Sequence, residues 1–412
     1  MRVDAVVIGA GTAGMVAAAR LAEEGRRVVV AAKGVGSTRL APGTIDVLGY
    51  APERVDHPAA AIPAFVAARP EHPYGRVGVD GLERAIAWLK ERVDPIRYVG
   101  SLDDNVLLPT AVGAAKPTAV VPETMAAGDL ARGGSFLLCG LRGYKDFYPA
   151  LAADNLTAWA KVDVRAVELH PPLGGEPDVG PLGFARRFEE PEFRRAIVRD
   201  VLAAMGGEDA VGFPALLGFA GAREAWTELQ DALGRPVFEV STLPPSVPGI
   251  RLAGALESAV RRAGGRVLIG CEVVDRQVSA RRVEAVFLQS SARRIEVRPE
   301  AVVLATGGLL TGGIELGSDD AVRETVFDLP LRGVPADHAS MFSSRYFGPH
   351  PFSLAGLAVD ERMRPVDAGG SAVYDNLYAA GAVLGGAESW REKSGEGISL
   401  GTGFKAAEEI LR

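Results

Sequence analysis

Cysteine is nearly absent from this 412-residue chain, which holds only Cys139 and Cys271, far apart and each inside an apolar, strand-like run. That excludes a disulfide framework, and with no CxxC pair there is no iron–sulfur or other metal-ligating cysteine spacing. A reducing, cytoplasmic setting is expected. Long apolar runs are missing as well. No window offers the roughly 18 uninterrupted apolar residues of a membrane span, so any association with a membrane is expected to come through a partner. The first strand starts too early to leave room for a secretory leader. Net positive charge is also lacking: 45 Lys and Arg against 52 Asp and Glu give −7, which argues against a nucleic-acid partner. Glycine is the opposite case, with 50 residues where a share of about 7% is usual, and it announces many tight turns. The length implies two or three domains.

The most informative stretch is residues 2–33, RVDAVVIGAGTAGMVAAARLAEEGRRVVVAAK. An apolar, β-branched run over residues 3–8 suits a strand buried on both faces of a parallel sheet. Gly9, Gly11 and Gly14 follow in G-x-G-x-x-G spacing, then an Ala-rich helical pattern, a stop at Gly25 and a second apolar strand over residues 28–30. Gly9 permits the turn, Gly11 lets a phosphate approach the backbone, and Gly14 lets helix and sheet pack closely. Thr12 and Ala13 supply further N–H groups at a helix start whose dipole favours an anion. This βαβ unit predicts a nucleotide or flavin site.

One part of such a unit is missing. The second strand commonly ends in an acid that grips a ribose hydroxyl, but here it ends Ala31, Ala32, Lys33, and Glu23 and Glu24 fall too early. A cation there suits a phosphate: the terminal phosphate of FMN or the 2′-phosphate of NADP. The alternative is a solvated surface charge.

Residues 34–49, GVGSTRLAPGTIDVLG, form a loop expected at the carboxyl ends of the strands, where ligands bind. In it Gly34 lies next to the cation, Ser37, Thr38 and Thr44 offer hydroxyls to a ribityl chain or phosphate, and Gly43 leaves room for a ring against the backbone. Residues 51–76 read as a Pro- and Ala-rich crossover. A second α/β arrangement follows, with strands near 135–140, 162–169, 211–217 and 237–240, and helices near 146–160, 191–205 and 222–233; the alternation argues for parallel pairing. The stretch LPPSVPGIRL, residues 243–252, stiffens the entry to a helix, and Arg251 near its start binds a substrate anion or pairs with a carboxylate. Residues 266–298 read as three antiparallel strands, and AVVLATGG, residues 301–308, as a separate buried strand whose Thr306 and Gly307 pass close to a cofactor.

Residues 313–352 are less regular and contain His338, Arg345 and His350. Arg345 is a candidate phosphate clamp and His350 a candidate base, its ordinary pKa being about 6.5. Near the end, LYAAGAVLGG carries Gly381, and GEGISLGTGF opens a final helix with the N–H groups of Gly397, Ile398 and Ser399 expected to be free. A helix start of that kind stabilises charge on a reduced flavin and has no equivalent need in a nicotinamide enzyme.

The order GAGTAG, meander, ATGG, LYAAG and a glycine-led final helix resembles the two-dinucleotide-binding-domain flavoproteins related to fumarate reductase. More narrowly, VDAVVIGAGTAG with its cationic strand end, EHPY at residues 71–74, LPPSVPGIRL, VVLATGGLLTGG and LYAAGAVLGG resemble the B-type subunit family of anaerobic glycerol-3-phosphate dehydrogenases. The resemblance implies an FMN protein, FAD being the alternative, that pairs with a catalytic FAD-containing partner of the A type and an iron–sulfur partner of the C type. Such a complex oxidises sn-glycerol 3-phosphate to dihydroxyacetone phosphate and passes electrons to menaquinone at the inner face of the membrane. Ala382 departs from the wider superfamily, which often has an acid there to hold the ribityl chain.

The fold expected is α/β: a Rossmann-like parallel-sheet flavin-binding domain over residues 1–60, 250–310 and 353–412, with a β-meander, and an inserted α/β second domain over residues 61–249 and 311–352 that caps substrate or binds a partner. If chemistry occurs in this chain, Arg251 and Arg345 hold the phosphate and His350 takes the hydroxyl proton. The competing functions are a non-catalytic electron relay or scaffold, and an NADPH-dependent flavin reductase using Lys33.

Overall fold

The computed structural model describes residues 1–158, 162–291 and 293–412. Its first element, strand β1 (Arg2–Ile8), runs directly into helix α1 (Thr12–Glu23) and strand β2 (Val28–Ala32). Both strands pair in parallel and are almost wholly buried. The small side chains Ala17, Ala18 and Ala19 let α1 lie close on the sheet.

A long helix, α2 (Tyr74–Arg92), occupies a stretch for which the sequence suggested no element. Gly75, Gly78 and Gly81 interrupt its helical pattern, and Gly78 breaks the helix with φ +70°. Beyond it Leu82, Ala85, Ile86 and Leu89 recur at helical spacing and are buried. A shorter helix, Pro58–Ala68, precedes it where a crossover was expected.

The second sheet is built from β3 (Gly134–Leu141), β4 (Val162–Leu169), β5 (Ala210–Pro214) and β6 (Val237–Val240). Their order is β6–β5–β3–β4, all parallel, as the alternation of strands and helices implied. The helix between β3 and β4 spans Pro149–Thr157; the expected extension to residue 160 lies outside the described residues. This sheet has its own core, centred on Phe184, Phe188, Phe213 and Phe238.

Helix α3 (Val247–Arg262) returns the chain to the first sheet. The next four strands are β7 (Arg266–Ile269), β8 (Glu272–Ser279), β9 (Arg282–Gln289) and β10 (Arg294–Leu304). Two expectations are corrected here. RVLIGCEVV is two strands, because Gly270 at φ +74° turns the chain: β7 joins β2 in parallel, while β8 opens the meander. RRIEVR and AVVLA are one strand, β10, whose first half pairs with β9 and whose second half pairs with β1. The gap expected at Pro299 and Glu300 is absent, both residues lying within β10. Strand β11 (Leu377–Ala379) then pairs with β10, and the chain closes with helix α4 (Gly395–Leu411).

Among the described residues the first sheet therefore has the order β7–β2–β1–β10–β9–β8, with β11 also on β10. The side chains of Ile62, Phe65, Leu82, Leu89 and Leu102, and of Phe327 and Leu329, share the core of this sheet. Parts of the stretch expected in the inserted unit, around residues 62–102 and 327–329, thus contribute apolar side chains to the first sheet's core. Among the described residues no helix is long and apolar enough to cross a membrane.

Candidate functional site

The glycine turn between β1 and α1 is tightened by contacts only glycine allows. Gly9 has φ +120°, and a Cβ on it would sit 2.1 Å from the Ala305 carbonyl oxygen at the end of β10; a Cβ on Gly14 would sit 2.1 Å from the Gly9 carbonyl oxygen. Gly11 differs. Its φ is −77°, and no atom lies within 4 Å of where its Cβ would be. Its bare face opens on a space that a phosphate can enter, next to the start of α1.

Four chain-remote segments converge on this turn. Thr12 Oγ1 lies 2.9 Å from Thr38 Oγ1 in the loop after β2 and donates to Glu396 Oε2 in the first turn of α4 at 2.9 Å. Gly36, which sequence reasoning passed over, has φ +77° and backs onto the Ala10 carbonyl. The helix that LPPSVPGIRL opens holds the same loop: Ser246 caps α3 by accepting from the Gly249 N–H, and Gly249 lies against the Thr38 and Ala41 carbonyls. The turn after β11 completes the ring, with Gly381 at φ +79° against Ala13 Cβ and its N–H on Thr402 Oγ1. Thr306 Oγ1, just past β10, is buried without a hydrogen-bond partner. An orphaned hydroxyl, a bare glycine and an anion-favouring helix start fit a phosphorylated cofactor with polar edges.

Several candidate residues have other employment. Gly43 is filled by Pro248, whose Cβ would be 2.6 Å from an added Cβ, so no ring lies there. Thr44 Oγ1 donates to Asp46 and accepts from Lys116 Nζ. The Gly397 N–H donates to the Asp46 carbonyl and the Ile398 N–H to that of Ser394, so these groups are not free, although α4 does begin at Gly395 as expected. Ser399 Oγ stands 3.9 Å from the Gly381 Cβ position, and the Gly307 position is crowded by Thr311 Oγ1. Ser37 and Gly34 are exposed beside Lys33. Lys33 itself follows β2 at the expected place, but it is 80% exposed and pairs with Glu272 at 3.0 Å.

Of the three residues proposed for substrate chemistry, two are engaged with other groups. Arg251 is enclosed: Nε donates to the Gly218 carbonyl at 2.7 Å, and NH1 and NH2 donate to the two oxygens of Glu239 at 2.7 and 2.9 Å. It is a structural pair with a fully buried carboxylate, and the expectation that it grips a substrate anion is corrected. His350 uses both ring nitrogens inside its own loop, Nδ1 accepting from the Ser343 N–H and Nε2 facing the Tyr346 carbonyl at 2.9 Å. Arg345 is exposed in that loop. Among the described residues no hydrogen bond or ion pair links these three side chains.

Sequence reasoning missed a buried polar layer beneath the site. In the EHPY motif His72 Nδ1 accepts from the Tyr74 N–H, leaving Nε2 to donate to Glu392 Oε2 at 3.2 Å. Burial alone would raise the Glu392 carboxyl, but His72, Ser394 and the Glu388 N–H hold it below the usual carboxylate range. Tyr74 donates to the Val47 and Ser394 carbonyls and Tyr98 to that of Gly43; burial raises both phenols. Lys116 grips both oxygens of Asp46 at 2.9 Å. Glu396 has no such cation, and burial pushes its carboxyl up to about 7 against the opposing bond from Thr12. A first-turn acid reads as ordinary helix chemistry, so nothing in the sequence marked it.

Residues 4–398 match the FAD binding domain family. Over 98% of this chain and 96% of its own length, the B-type subunit of a probable anaerobic glycerol-3-phosphate dehydrogenase of Halobacterium salinarum is 38% identical. The corresponding protein of Pectobacterium atrosepticum is 33% identical over 100% of this chain and 99% of its own. Among solved structures, 3-ketosteroid delta1-dehydrogenase from Sterolibacterium denitrificans aligns over 99% of both chains at 13% identity and a TM-score of 0.46.

Proposed function

Because the chain belongs to the B-type subunit family of anaerobic glycerol-3-phosphate dehydrogenases, within the wider FAD binding domain family, we propose that it is the flavin-carrying member of a complex oxidising sn-glycerol 3-phosphate to dihydroxyacetone phosphate, with electrons passed to menaquinone. The observation that carries this reading is the double engagement of Thr12, which ties the glycine turn to Thr38 and to the start of α4. FMN is the flavin proposed, with FAD the alternative; the cation Lys33 at the ribose position supports the shorter cofactor. When bound, the flavin supplies a two-electron acceptor. Around it the chain offers the bare backbone at Gly11, the hydroxyls of Thr12 and Thr38, and the unpartnered Thr306 Oγ1.

We place the hydride step in a partner, the FAD-containing protein of the A type working with an iron–sulfur protein of the C type, and give this chain the role of electron relay at the inner face of the membrane. The engagement of Arg251 with Glu239, and of both His350 ring nitrogens within their own loop, supports that division. The second sheet, residues 134–240, is proposed as the partner-facing unit. Denaturing the purified protein and weighing the released chromophore tests the cofactor: FMN is expected, and a colourless supernatant would refute the flavin reading. Adding glycerol 3-phosphate anaerobically to the isolated chain tests the division. Rapid bleaching would return the chemistry to this chain, and bleaching by NADPH would favour the reductase reading.

A further inference from the structure

The Glu396 side chain stands in the wall between the glycine turn and the start of α4, half-buried. Oε2 is taken by the Thr12 hydroxyl, which itself faces Thr38. Among the described residues Oε1 has no hydrogen-bond partner, so one oxygen of a carboxyl that touches the glycine turn is left to meet a ligand. Every charged or titratable neighbour is already committed. Lys116 is held by both oxygens of Asp46 and by Thr44; Asp46 faces Glu396 as a like charge; Lys393 donates to the Trp390 carbonyl; Glu392 is bound by His72 and Arg69; and the Tyr74 and Tyr98 hydroxyls donate to backbone carbonyls. The carboxyl thus has a donor on one oxygen, an anion on its flank, and within reach of its charge the cation Lys116, which Asp46 already holds.

We propose that Glu396 contacts the bound flavin as a neutral carboxylic acid, donating from Oε1 to an acceptor oxygen of the cofactor, so that flavin binding is coupled to uptake of one proton from solvent. The inference rests on the flavin reading above and adds to it a cofactor contact and a pH dependence. In the cofactor-free protein the group ionises near 7 because burial opposes its charge. A phosphorylated ligand brings further negative charge to the same groove, which disfavours the carboxylate and holds the proton in place. The balance is simple: the carboxylate gains a proton, and no covalent bond to the cofactor forms or breaks.

The test is a titration of flavin-stripped protein with FMN, and separately with FAD, followed by fluorescence across neutral to alkaline pH. Wild-type affinity is expected to fall roughly tenfold per pH unit above about 7, while Glu396→Gln, a permanent neutral donor, binds with little pH dependence. Parallel pH profiles for the two proteins would overturn the proposal. Calorimetry of the wild type in buffers of different ionisation enthalpy decides the matter even where the variant folds badly. At about pH 8 it should report uptake approaching one proton per flavin, and none would refute the coupling. Wild-type protein that binds neither flavin overturns the functional reading itself, an outcome distinct from binding without proton uptake.

Discussion

Replacing Arg251 with Ala should cost this protein stability and leave its affinity for any phosphorylated substrate alone. The guanidinium is bonded to both oxygens of Glu239, whose carboxylate is fully buried and also accepts from Thr124 Oγ1 and the Leu217 N–H. Removing the cation strands that carboxylate, a loss of about 3–5 kcal/mol for a broken buried pair. The double variant Arg251→Met, Glu239→Gln removes the charge while its amide oxygen accepts from the Leu217 N–H and its NH2 donates to the Thr124 hydroxyl, which turns to accept, so most of the loss should return. Their coupling in a double-mutant cycle is expected at about 1–3 kcal/mol. Urea unfolding of the wild type, both single variants and the double variant measures this. The reasoning fails if Arg251→Ala unfolds within about 0.5 kcal/mol of wild type while the reconstituted complex needs far more glycerol 3-phosphate. That pattern would mean the side chain leaves Glu239 to meet substrate.

Gly11→Ala should fold with unchanged stability, since its φ suits any residue and nothing crowds the position, yet lose flavin during gel filtration; Gly14→Ala should instead fail to fold, because its Cβ would strike the Gly9 carbonyl, and circular dichroism separates the two. His350→Asn should leave flavin reduction in the reconstituted complex unchanged, as both ring nitrogens serve only their own loop; a hundredfold loss in stopped flow would restore it as a base. In flavin-free protein, Glu396 is raised from 4.5 to about 7 by burial. Its contribution to stability is therefore fully present below 4.5 and is lost as pH rises through about 7, so Glu396→Gln should become the more stable protein across that window in urea titrations. A pH-independent difference between them would contradict the assignment.

How far the sequence can be read depends on the range of the interaction. The glycine turn is legible because its whole logic lies within residues 2–33, and the second sheet because each strand and helix is a local apolar pattern. Helix α2 is not, since Gly75, Gly78 and Gly81 imitate a loop and its stabilising face depends on packing against α4. Arg251 reads as half a site because its partner Glu239 lies in a different element, and a single arginine does not declare what it faces. Glu396 is invisible for the same reason: its neighbour Thr12 is 384 residues away.

That separation bears on how the protein is made. A nascent chain can form β1, the turn and α1 almost as soon as they leave the ribosome, yet the wall facing Thr12 does not exist until residue 396 has emerged. Flavin met earlier finds only half a seat, so loading belongs to the closing moments of synthesis or after it, and a ribosome stalled before α4 should carry no bound colour.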